Sequence, residues 1–83
     1  METRVAIIGI IVEDEGSVQG IQEQLSKYSE YIIGRMGIPY GKRGIRIISV
    51  AIDGPMDIIN ALTGKIGRLK GVSAKAVYQK SID

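Results

Sequence analysis

A chain of 83 residues, 45% of them hydrophobic but none of them Phe or Trp, makes one domain. It hides only about 60–65% of its unfolded surface and builds its core from Ile, Val, Leu, Ala and Met. The lack of Cys and His excludes disulfides, thiolate and imidazole metal ligands, thiol nucleophiles and His-based triads. The net charge of +2 is unevenly spread, with two basic and six acidic groups in residues 1–34 and nine basic and three acidic in residues 35–83; this suits charge matching between subunits, or attraction of a small anion, better than a nucleic-acid face.

No apolar run approaches the roughly 18–20 residues that span a bilayer. The N-terminal stretch has neither the basic start nor the small-residue cleavage site of a signal peptide, so a cytoplasmic location is expected.

Residues 3–12, TRVAIIGIIV, are nearly continuous in β-branched side chains and read as a central strand covered on both faces. A polar break at Glu13, Asp14, Glu15, Gly16 and Ser17 places acidic groups where a helix N-terminus favours them. Val18, Ile21, Leu25 and Tyr28 then form one apolar stripe, predicting a helix over 17–29 that Gly20 weakens by about 1 kcal/mol relative to Ala. Residues 31–38 form a second strand, placed at a sheet edge because it contains Gly34 and Gly37 and runs into Pro39. A basic turn over 40–44 leads to the third strand, 45–52, again suited to the centre.

Gly54, Pro55 and Asp57 open the second helix, with Pro55 at the first helical position and Gly71 as the stop. Its stripe is Ile58, Ile59, Leu62, Ile66 and Leu69. Residues 72–80 alternate as an edge strand with one wetter face. The order βαββαβ predicts an α+β ferredoxin-like sandwich, with a four-stranded antiparallel sheet and two helices on one face.

Both faces of the central strands are apolar: on the third strand Ile48, Val50 and Ile52 point one way and Ile45, Ile47 and Ala51 the other, and on the first strand Ala6, Ile8 and Ile10 stand against Val5, Ile7 and Ile11. The helices cover only one face, so the remaining one, with Ile7, Ile45, Ile47 and Ala51, is expected to meet another copy in a homodimer or homotetramer.

Few motifs carry chemistry. Residues 63–65, TGK, lack the earlier glycine and following Ser or Thr of a P-loop. The first and third strands carry no aromatic ring on which a base could stack, which disfavours direct nucleic-acid binding. Residues 16–24, GSVQGIQEQ, resemble the acylphosphatase loop, but Gln24 stands where that family's phosphate-holding arginine would fall and cannot clamp an anion by charge.

Residues 33–40, IGRMGIPY, read with residues 61–72, ALTGKIGRLKGV, make nearly the whole chain similar to the small regulators associated with iron-only hydrogenase systems. The resemblance implies an ACT-like domain. It points to a ligand group of Asp14, Gly16 and Ser17 at the turn after the first strand, with backbone N–H donors at Gly16 and Ser17. A second group comprises Arg35, Tyr40 and Lys65, able to hold a carboxylate or to pair across subunits.

The expectation is a non-catalytic oligomeric regulator, with no catalytic residue, cofactor or metal, sensing a small molecule at a subunit interface. A docking or assembly module without a ligand is the alternative, ahead of a degenerate acylphosphatase-like domain.

Overall fold

Alternation along β1 (Arg4–Val12) decides which sheet face the helices cover. Ala6, Ile8, Ile10 and Val12 are buried, while Val5, Ile7 and Ile11 at the alternate positions are exposed. The computed structural model describes residues 2–80. The chain continues through α1 (Val18–Lys27), β2 (Ile32–Tyr40), β3 (Ile45–Gly54), α2 (Met56–Gly67) and β4 (Val72–Tyr78), with short 3-10 turns at Glu15–Ser17 and Ser29–Tyr31.

The sheet runs β2-β3-β1-β4 with every neighbouring pair antiparallel. The two strands richest in Ile and Val lie in the centre, and those marked by Gly, Pro and Lys lie at the edges. The crossovers from β1 to β2 and from β3 to β4 carry both helices to the same face. There Ile21 and Leu25 of α1 and Ile59, Leu62 and Ile66 of α2 close over Ala6, Ile8, Ile10, Ile48, Val50 and Ile52. Within the single chain the central strands are thus covered on one face, not both.

Gly20 serves the contact between α1 and the turn after α2: a Cβ there would stand 3.2 Å from the Leu69 side chain. The helix it weakens gains that packing in return.

Several boundaries differ from the sequence reading. α1 starts at Val18 because Asp14 first caps a 3-10 turn, its Oδ1 accepting the Gly16 N–H at 2.9 Å. β2 passes through Pro39 to Tyr40, which an edge strand tolerates because its outer side has no ladder to satisfy. Ile33 is an extra residue in a bulge between the Ile32 and Gly34 pairings, and it stands exposed.

Pro55 is the extended residue before α2, with ψ 148°, rather than its first helical one. α2 ends at Gly67, four residues before the predicted stop, and β4 ends at Tyr78, short of residue 80. Gly71 instead makes the turn into β4 with φ +68°, where a Cβ would lie 2.7 Å from the Cβ of Asp14.

Gly71→Ala is therefore expected to lose about 1–2 kcal/mol from the left-handed backbone alone, with the clash adding to it. Gly37→Ala, in open space, should hold stability or gain about 0.4–1 kcal/mol. Urea unfolding of the two variants beside the parent checks both.

Candidate functional site

The residues singled out in the sequence fall into separate places. The first is the β1–α1 turn, which is tied to the turn after α2. The Glu13 N–H donates to the Gly71 carbonyl at 2.7 Å, and the buried Ser17 hydroxyl donates to the Lys70 carbonyl at 2.6 Å. Lys70 Nζ stands 3.7 Å from Asp14 Oδ2, a loose pair made by a largely exposed ammonium and worth little.

The two donors expected to greet a ligand are already satisfied inside the turn. Gly16 N–H goes to the Asp14 carboxylate, and Ser17 N–H to the Asp14 carbonyl at 3.0 Å. Asp14 thus occupies the position an incoming anion would take.

Beside this turn, Glu15 receives Arg46 through both Nε and Nη2, the shortest contact being 2.6 Å. The guanidinium's hydrogen bonds hold the Glu15 carboxyl below the usual carboxylate range, and the carboxylate raises Arg46 further. Both groups are solvent-exposed, so the pair orients the turn against β3 more than it stabilises the fold.

The second place is the uncovered sheet face. Register puts Ile7 opposite Ala51, Ile11 opposite Ile47, Ile38 opposite Ile47 and Tyr40 opposite Ile45. All four residues expected at an interface, Ile7, Ile45, Ile47 and Ala51, lie on it. Ile7 is 51% exposed and Ile47 39%. Met36, Ile38, Tyr40 and Val77 extend the face across both edge strands. Val77 was legible as the apolar break in an otherwise polar alternation along residues 72–80. At the centre, Gly9 and Ser49 leave a shallow apolar hollow of about 350 Å³, flanked by Ile11, Ile47 and Lys75.

The third place gathers one residue singled out in the sequence, Arg35, with neighbours that were not. β2 extends beyond the cover of α1, and its helix-side positions Arg35, Gly37 and Pro39, paired with Val50, Ile48 and Arg46, line a groove of about 280 Å³ closed on the other side by Val18 and Gln22. The groove continues past Gln22 and Arg35 toward Ser26, Ser29 and Ile32. Gly37, small and next to a cation, was the available signal, but only the tertiary placement of α1 makes it one.

Arg35, Tyr40 and Lys65 are therefore not one cluster. Arg35 lies on the helix side of β2 and Tyr40 on the bare side. Lys65 belongs to α2, where its Nζ donates to the Tyr28 hydroxyl at 2.9 Å and sits 5.3 Å from that ring's centroid. Among the described residues no group of three or more acidic side chains is placed to hold a metal ion, and no helix is long and apolar enough to cross a membrane.

A four-stranded antiparallel sheet of this order, with two helices on one face, defines a ferredoxin-like α+β domain. The model of the TM1266-like family, described as "Iron-only hydrogenase system regulator, putative", matches residues 4–76, and the chain belongs to that family. Among solved structures, protein TM1266 from Thermotoga maritima is 35% identical and superposes with a TM-score of 0.90, over 95% of this chain and 100% of that one.

A formyltetrahydrofolate deformylase from Pseudomonas putida KT2440 matches at TM-score 0.65 and 13% identity, covering 88% of this chain but 28% of that one. The nitrogen regulatory PII-like protein CPII from Thiomonas intermedia K12, solved with ADP, AMP and bicarbonate, matches at 0.60 and 11% over 95% of this chain and 99% of that one. At such identities these two likenesses are of fold alone. No curated protein matches the chain.

Two expectations follow from the turn. Ser17→Ala should cost about 0.5–1.5 kcal/mol, because the part-buried bond from the Ser17 hydroxyl to the Lys70 carbonyl is lost; the shift in urea midpoint measures it. Glu15, with its folded-state pKa depressed, stabilises the protein above its unfolded pKa and loses that contribution as pH falls through the folded value. Arg46→Gln should therefore flatten the acid limb of the stability-versus-pH curve and leave the alkaline limb alone, as read by thermal melts from acid to neutral pH.

Proposed function

We propose that the protein is a non-catalytic regulatory domain that works as an assembly of its own copies, paired through the uncovered sheet face, and that it responds to a small molecule. One observation carries this reading: the face opposite the helices is largely apolar across β1, β3 and β2, with Ile7, Ile11, Ile47, Ile38 and Tyr40, and Val77 adds an apolar side chain from β4 beside Ser73 and Lys75.

Four strands about 4.8 Å apart and some five residues long span on the order of 300 Å², near the largest apolar patch that a monomer usually exposes. Covering each large side chain contributes about 1.5–3 kcal/mol when complete, so several together offset much of the association entropy, estimated at about 4–15 kcal/mol. A second copy suits the face because its charged members, Asp53 and Lys75, are of opposite sign and present no like-charge field to an identical partner. The regulator description of the family supports the biological half of the reading, and the ACT-like resemblance supports a small-molecule signal.

Sedimentation velocity at micromolar concentration should show a species of twice or four times the chain mass. Ile47→Lys should shift it to monomer while the helix signal in circular dichroism persists. A parent chain that sediments as a monomer would overturn the pairing. A thermal-shift screen with amino acids, nucleotides and metal salts tests the sensing half: binding to the native state raises the midpoint, and a silent screen would favour an assembly module without a ligand.

A further inference from the structure

We propose that the groove between α1 and β2 is a binding site for a small monocarboxylate, with Arg35 as its anchor; this names where the small molecule of the regulatory reading binds, and it rests on that reading for its biological meaning. Arg35 lines both contiguous parts of the groove and makes no ion pair or side-chain hydrogen bond among the described residues. A guanidinium presents a planar fork of donors that matches a carboxylate through two parallel hydrogen bonds. The other cation on the groove, Arg46, is engaged by Glu15 and forms wall rather than anchor.

Gly37 is the second observation. Its backbone is not left-handed, and an added Cβ would meet nothing within 4 Å, so neither conformation nor packing within this chain requires glycine there. Glycine weakens a strand interior. What its missing side chain provides is an open floor beside Arg35, facing the Gln22 amide across the groove.

The part of the groove beside Gly37, about 280 Å³, is just under the usual lower bound of about 300 Å³ for ligand sites, which suits a ligand of few atoms. One unengaged cation, with Arg46 already neutralised by Glu15, matches a single negative charge and disfavours a phosphate dianion. Gln22, together with Ser26 and Ser29 in the continuation, supplies neutral donors and acceptors for an amino, keto or hydroxyl group next to the carboxylate.

The test is a titration followed by the backbone amide signals of ¹⁵N-labelled protein, with acetate, pyruvate and alanine as probes and inorganic phosphate as the competing anion. At least one of the three carboxylates should move the amides of Gln22, Arg35 and Gly37 at millimolar concentration, and phosphate should not. Arg35→Gln should weaken that binding by about tenfold or more, the usual result of removing one charged hydrogen-bond partner, with Arg35→Lys in between because it keeps the charge but loses the fork. Gly37→Val should abolish binding by filling the groove while the melting temperature stays level or rises, which separates a blocked site from a damaged fold.

Groove amides silent to all three carboxylates, an equal response to phosphate, or binding unchanged in Arg35→Gln or Gly37→Val would each overturn the proposal. Sedimentation of the same samples keeps the two readings apart. A paired protein with a silent groove leaves the assembly standing, and a monomer that binds a carboxylate through Arg35 leaves the site standing.

Discussion

One constraint governs this molecule: two helices can cover only one face of a four-stranded sheet, and the strands are apolar on both. The alternation of β1, buried at Ala6, Ile8, Ile10 and Val12 and open at Val5, Ile7 and Ile11, is its direct expression. Because the side-chain period of a strand is two, a one-residue slip in register would exchange the whole buried set for the exposed one. The helix stripes of Ile21 and Leu25 and of Ile59, Leu62 and Ile66 hold the register that exists. The uncovered half is the physical basis of the proposed pairing.

The turns at one end of the sheet illustrate how polar groups serve the fold here. Asp14 receives the Gly16 and Ser17 amides, Ser17 reaches the Lys70 carbonyl, and Gly71 lets the two segments approach. This web stitches the start of α1 to the exit from α2, so that both crossovers are fastened at the same point. The backbone donors of this loop are free for a ligand in the linear chain, yet Asp14 already takes both of them in three dimensions.

Chemical capacity therefore moves from the turn to the side of α1. Along β2 the two faces divide the work: Met36, Ile38 and Tyr40 join the apolar face, and Arg35, Gly37 and Pro39 open the polar groove. The proposed ligand site and the proposed contact between copies thus share one edge strand.

By itself the sequence determined the element order, the central place of the two Ile- and Val-rich strands, the edge position of the strands marked by Gly, Pro and Lys, and the apolarity of both sheet faces. These follow from periodicity and local backbone preference, which act over a few neighbouring residues. Tertiary structure alone decided which face the helices cover, that Gly71 turns the chain beside Asp14 rather than ending α2, that the Gly16 and Ser17 donors are already paired, and that Arg35, Tyr40 and Lys65 part to three surfaces. Each of those outcomes depends on groups brought together from distant parts of the chain, such as Asp14 with Gly71 or Gln22 with Arg35, and no local pattern carries that information.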